Sequence, residues 1–186
     1  FEAVRAKAWL LVESSGELVM IRKATSNDVA AMTSIYNEVI AEGGFTGDIN
    51  PVSIESRQAW FAEYQDPYAV FVAEANHTVV GYVSVSAYRK GRQAFNQTCE
   101  ISYFITASQR GQGLGKQLLT HAINYAQTSG FRVLVAILLG GNQRSISLLQ
   151  RFGFSEVGRV KQAACVGNEY VDHVFMSLQV AGLEQT

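Results

Sequence analysis

The chain has 186 residues, enough for one domain and marginal for two. With 48% hydrophobic and 17% charged residues it has the means to fill a sizeable core and lacks the composition of a disordered chain. A net charge of -1 excludes the basic balance of a general nucleic-acid binder, and no apolar run is long enough to cross a bilayer as a helix.

Residues 1–19 hold only the short apolar run AWLLV and no small-residue cleavage site, so they read as an N-terminal arm or extension rather than a signal peptide. The domain pattern runs from 20 to 180, with a tail at 181–186. VMIRKA has strand composition, and Thr25-Ser26-Asn27-Asp28 is a helix start. Val29, Met32, Ile35, Tyr36, Val39 and Ile40 then recur at helical spacing until Gly43-Gly44. Ser53 caps a second helix whose apolar members are Ile54, Trp60, Phe61 and Tyr64, closed by Asp66-Pro67.

AVFVAE and TVVGYVSVSAY predict two strands around Asn76-His77, and TCEISYFIT a third after the basic loop RKGRQAFNQ. Leu114, Leu118, Ala122 and Ala126 mark a helix with one buried face, closed by Ser129-Gly130. RVLVAILL is apolar without alternation, as in a strand covered on both faces. NQRSISLLQRF is a short helix ended by Gly153, and FSEVGRVKQ and EYVDHVFMSLQV are the last strands. The order is β-α-α-β-β-β-α-β-α-β-β, an α/β class with one mixed sheet and helices packed on it.

Cys99 and Cys165 show no metal or redox spacing and read as reduced packing residues, which fits the cytoplasm. His77, His121 and His173 share no ligand spacing, so no metal is expected, and no G-x-S-x-G elbow supports a hydrolase.

The segment QRGQGLGK, residues 109–116, lies between a predicted strand and a predicted helix. A dinucleotide fingerprint would need a third glycine where Lys116 stands. A Walker loop would need glycine at Arg110 and Ser or Thr at Gln117. What remains is R-x-x-G-x-G, from Arg110, Gly113 and Gly115. A helix start offers unpaired N–H groups and the positive end of its dipole, and glycines let an anion approach the backbone.

This segment resembles the acetyl-CoA loop of the GNAT family of N-acetyltransferases. NQRSISLLQRFGF further on, with Asn142, Ser145, Gly153 and Phe154, resembles that family's second cofactor motif. The resemblance covers about residues 20–180. It implies a mostly antiparallel sheet with splayed central strands. It implies acetyl-CoA held by Arg110, Gly111, Gln112, Gly113, Leu114, Gly115, Lys116, Asn142 and Ser145. Main-chain groups of Phe104, Ile105 and Thr106 would meet the pantetheine arm.

ATSND, IYNEV, PVSIESRQAWF, TCEISYFI and GNEYVDHV look most like the phosphinothricin acetyltransferase branch. That branch acetylates primary amines of amino-acid-like compounds such as phosphinothricin, methionine sulfoximine and methionine sulfone. The resemblance implies a small-molecule amine substrate, a homodimer, and neither nucleic acid nor membrane as partner. An ammonium must lose a proton before it attacks a thioester. The family's strand carboxylate matches Glu100, which strand alternation puts on one face with Ser102 and Phe104. For the substrate carboxylate the basic loop offers Arg92 first and Arg89 second, since a guanidinium binds a carboxylate at two points. Phe45, Tyr88 and Phe95 are candidate pocket walls. Leu149 stands where the family often carries a proton-donating Tyr or His. Peptide N-termini, polyamines, and acetyl-CoA sensing without catalysis are the alternative readings.

Overall fold

The computed structural model describes residues 10–14 and 17–180. In chain order the elements are β1 (Leu10–Ser14), β2 (Glu17–Lys23), α1 (Val29–Glu42), α2 (Ile54–Ala62), β3 (Ala69–Ala75) and β4 (Thr78–Ala87). There follow β5 (Thr98–Ile105), α3 (Leu114–Thr128), β6 (Val133–Leu139), α4 (Gln143–Arg151), β7 (Ser155–Val166) and β8 (Glu169–Gln179). The strands form one sheet in the order β1-β2-β3-β4-β5-β6-β8-β7. Every ladder is antiparallel except that of β5 with β6.

The domain start expected at residue 20 falls inside β2. β1 pairs with β2, Leu10 opposite Ile21, so part of the supposed arm is a strand of the sheet. The rest of the arm, residues 1–9, and the tail at 181–186 lie outside the described residues.

Strand alternation sorts the side chains into two cores. Ala69, Phe71, Ala73 and Ala75 face α3, with Leu118, Leu119 and Ala122 of that helix. Val70, Val72 and Tyr82 face α1, with Met32 and Ile35. The apolar stripe expected on α1 is buried throughout. α2 departs in part from its expected pattern. Trp60, Phe61 and Tyr64 pack on this core as expected, but Ile54 is 45% exposed, and the one residue of the helix that is buried is Arg57. Its guanidinium lies 3.9 Å from the Trp60 ring and 4.2 Å from the Tyr36 ring, and donates to Tyr82 Oη at 2.6 Å.

One interruption of the sheet positions the site. β5 and β6 pair only from Thr98 opposite Val133 to Glu100 opposite Val135. Beyond Glu100, β5 stays with β4 as far as Ile105 opposite Gly81. β6 stays with β8 as far as Leu139 opposite His173. The sheet therefore opens into a wedge between β5 and β6, and the glycine loop and the start of α4 stand at its mouth.

Candidate active site

The loop after β5 is shaped by glycine. Gly111 and Gly113 have φ of 80° and 87°, a region that L side chains rarely enter. Gly113 caps α3 without a side chain, and the first bond of the helix is Gln117 N–H to Gly113 O at 3.2 Å. The amides of Leu114, Gly115 and Lys116 are thus left without an intrahelical acceptor. A Cβ on Gly115 would lie 3.1 Å from Leu148 Cδ2 and 3.8 Å from Tyr103 Cε2, so glycine lets α3 and α4 approach each other over the wedge.

The α4 side is set by Asn142. It is buried, and its Oδ1 accepts from Ser145 N–H at 3.2 Å, capping the helix. Between these elements lies a cleft of about 920 Å³. Tyr103, Phe104 and Ile105 line it from β5. Arg110, Gly111, Gly113, Gly115 and Lys116 line it from the loop and α3, and Asn142, Arg144, Ser145 and Arg151 from α4. Most of the residues expected to hold a cofactor are brought together here. Leu114 offers only its amide, its side chain being in the core, and Gln112 is outside the lining and donates to Ser108 O at 3.0 Å.

Three expectations need correction. Thr106 N–H donates to Val80 O at 3.0 Å, so it is committed to β4. Main-chain groups alternate sides along a strand, so Phe104 also points its amide at β4, whereas Ile105 and Tyr103 face the wedge. The Arg110 guanidinium is not a free cation, because it donates to Ile105 O at 3.0 Å and pairs with Glu42. It ties the loop to α1, helped by Ala107 N–H on Glu38 Oε1 at 2.9 Å. Arg144 and Arg151 were not anticipated. They follow Asn142 on α4, and Arg144 Nη2 lies 3.5 Å from where a Cβ of Gly111 would be. Cations shortly after a capping Asn were the available signal.

Glu100 closes the vertex of the wedge, as the last residue of β5 that pairs with β6. Its side chain lies on the α1–α2 face with Phe104, whose ring meets Tyr36 at 4.9 Å and Tyr82 at 5.3 Å. The carboxylate has no hydrogen-bond or ion-pair partner among the described residues. Burial raises its pKa above the usual carboxylate range. Glu100 does not line the cleft itself; it lies behind the vertex, near the half-buried Tyr64 phenol.

The loop between β4 and β5 forms a separate cluster. The Tyr88 and Phe95 rings are 5.8 Å apart, and the Arg89 guanidinium lies 5.3 Å from the Tyr88 ring. Lys90 pairs with Glu63 at 2.9 Å, and Arg92 is exposed without an acidic partner among the described residues. None of these lines the cleft. Phe45 does, beside Arg110, with that guanidinium 5.9 Å from its ring. Leu149 is fully buried in the core. Among the described residues there is no cluster of three groups fit to hold a metal, and no helix long and apolar enough to cross a membrane.

Residues 32–154 match the model of the acetyltransferase (GNAT) family. The chain is 35% identical over 162 residues to the L-methionine sulfoximine/L-methionine sulfone acetyltransferase of Pseudomonas aeruginosa, covering 86% of this chain and 94% of the relative. It is 34% identical over 161 residues to the L-amino acid N-acyltransferase MnaT of Escherichia coli, covering 86% and 93%. The crystal structure of a phosphinothricin acetyltransferase from Sinorhizobium meliloti in complex with acetyl-CoA superposes with a TM-score of 0.83 at 29% identity, covering 87% of this chain and 88% of that one. The split sheet, the glycine loop and the Asn142 cap are therefore those of an acetyl-CoA-dependent N-acetyltransferase, and the chain belongs to the GNAT acetyltransferase family.

Proposed function

We propose that the chain acetylates the α-amino group of small amino-acid-like compounds of the phosphinothricin, methionine sulfoximine and methionine sulfone type, with Glu100 as general base. The observation that carries the reading is the half-buried, unpaired carboxylate at the vertex of the wedge. The names of the relatives support the substrate class.

The cleft fits acetyl-CoA by its donor set. The amides of Leu114, Gly115 and Lys116 at the dipole end of α3, with Lys116 and Arg144, suit a pyrophosphate. Ile105 and Tyr103 present main-chain groups to an extended amide-bearing arm. When bound, acetyl-CoA supplies an activated acetyl group as a thioester. The chain's own task is to make the amine a nucleophile. Glu100 accepts the ammonium proton, directly or through a water, and a raised pKa suits a base working near neutrality. Arg92 or Arg89 would take the substrate carboxylate in two hydrogen bonds. Phe45, Tyr88 and Phe95 would supply apolar surface around it. We also propose a cytoplasmic homodimer, which sedimentation equilibrium would read as twice the chain mass.

Thiol release over a panel of amines tests the reading. Turnover with methionine sulfone, and none with spermine or a peptide N-terminus, is the expected result. Turnover only with spermine or peptide would overturn the substrate class. Acetyl-CoA binding without turnover on any amine would overturn the catalytic reading in favour of a sensor.

A further inference from the structure

Coenzyme A carries negative charge in two places, on its pyrophosphate and on the 3′-phosphate of its ribose. The open amides at the start of α3, with Lys116 and Arg144, serve the first. The cleft holds a further cation. α4 lines it along one whole side, from Asn142 through Ser145 and Leu148 to Arg151, about 13 Å of helix. Leu148 meets Gly115, which sets the middle of α4 against the first turn of α3. Arg151 stands two helical turns beyond Arg144, about 10 Å further along the axis, on the same side of the helix and at the end away from the wedge. It is exposed and has no acidic partner among the described residues, and no carboxylate lines the cleft. We infer that Arg151 takes the ribose 3′-phosphate of the acetyl donor, so that the enzyme selects coenzyme A thioesters over those of dephosphorylated or shorter carriers.

The order of groups along the cleft matches the order along the cofactor. The wedge, at Tyr103 and Ile105, holds the arm that leads to the thioester. The α3 start comes next and takes the pyrophosphate. The adenosine follows, and its 3′-phosphate, one ribose beyond, falls at the outer end of α4. Phe152 also lines the cleft there and offers apolar surface to the base. A phosphate monoester carries close to two negative charges at neutral pH, and a planar guanidinium meets it with two parallel donors. A cation in the last turn of a helix also suits the helix dipole. That role needs no ligand, and what Arg151 does to binding separates the two.

This rests on the acetyl-CoA reading of the cleft, not on which amine is acetylated. Calorimetric titration with coenzyme A and with 3′-dephospho-coenzyme A tests it, in the unsubstituted protein and in Arg151→Gln. The unsubstituted protein should bind coenzyme A about ten- to a hundredfold more tightly than the dephospho compound, the effect of a hydrogen-bonded pair of charges. Arg151→Gln should remove most of that preference. Its affinity for coenzyme A should fall by about the same factor, and its affinity for the dephospho compound should stay within about twofold. Arg144→Gln is the contrast. Placed at the pyrophosphate, it should weaken both ligands alike and leave the preference standing. Equal affinity of the unsubstituted protein for the two ligands overturns the role of Arg151. So does an Arg151→Gln variant that keeps the preference or weakens both ligands alike. Failure of both ligands to bind the unsubstituted protein would instead overturn the reading of the cleft.

Discussion

At the residue scale Glu100 couples stability to catalysis. A carboxyl whose pKa is raised by folding binds more protons in the native state than in the unfolded one. Stability therefore falls as pH rises through the window from the ordinary glutamate value to the raised one. Glu100→Gln should give a higher Tm than the unsubstituted protein at neutral pH, and equal stability below the ordinary glutamate value. The same variant should lose about 10²- to 10⁴-fold in kcat, with little change in acetyl-CoA affinity. In the unsubstituted enzyme the rate should fall as pH drops through the raised pKa, because the base works ionised. A variant that is as active as the parent, or no more stable at neutral pH, contradicts this account. Asp28 has the opposite sign. Arg22 donates to both of its carboxylate oxygens, at 2.7 and 2.8 Å, and holds its pKa below the usual aspartate range. That stability is present above the ordinary aspartate value and is lost as pH falls through the depressed one. Asp28→Ala leaves Arg22 with Glu74 alone, and the unpairing should cost about 3 kcal/mol in urea unfolding.

At the element scale the interesting contacts are those that hold helices at a set distance. α2 docks through Arg57, a buried cation between aromatic rings whose acceptor among the described residues is the Tyr82 phenol. Arg57→Ala would orphan Tyr82 Oη, which burial already pushes towards its neutral form, and should cost about 1–3 kcal/mol for that group besides the lost stacking. Chemical unfolding measures it, and a loss under 0.5 kcal/mol on the same scale would show that α2 docks by its aromatic residues alone. α3 and α4 meet at Gly115. Its missing Cβ faces the end of the flexible Leu148 side chain, so Gly115→Ala should fold, aided by the better helix propensity of alanine. It should nonetheless weaken acetyl-CoA binding, by about tenfold if some 1.4 kcal/mol of close backbone approach is lost, as calorimetric titration would read. Equal affinity would remove Gly115 from the cofactor site. These contacts also explain what the sequence made legible. The glycine loop and Asn142 were readable because a left-handed backbone and a helix cap each restrict residue type narrowly. The α1 and α3 stripes were readable because one buried face repeats at helical spacing. Arg57 was not, since no pattern marks a cation as inward-facing when its partners are rings brought from other elements. Tyr103 was not, since an aromatic residue in a strand reads as packing until the strand beside it turns away. The engagement of Arg110 with Glu42 joins residues far apart in the chain, which spacing does not reveal.

At the scale of the whole molecule the sheet is two ladders joined at a short seam. β1 to β5 form one, β6, β8 and β7 the other, and only Thr98, Cys99 and Glu100 pair across. The rest of the connection is made by α3 and α4, whose buried residues share a core with both ladders. A ligand that lies in the wedge, touching β5, the α3 start and the α4 start, contacts both halves at once. It has no comparable site in the unfolded chain, so its binding adds RT ln(1 + [L]/Kd) to the stability, about 2.7 kcal/mol at a hundredfold excess over Kd. For a chain of this size each kcal/mol moves Tm by about 2–4 °C, so saturating acetyl-CoA should raise Tm by roughly 5–11 °C and the rise should grow with the logarithm of concentration. The gain should also be local. Hydrogen exchange should slow at the amides of Tyr103 and Ile105, which face the wedge, and at Leu114, Gly115 and Lys116, which open α3. It should change little at Thr106, already bonded to Val80. A Tm rise with protection spread evenly over the chain would mean that the ligand binds elsewhere. Protection confined to the wedge edge and the α3 start would show that the gap in the sheet is closed by the molecule that the enzyme consumes.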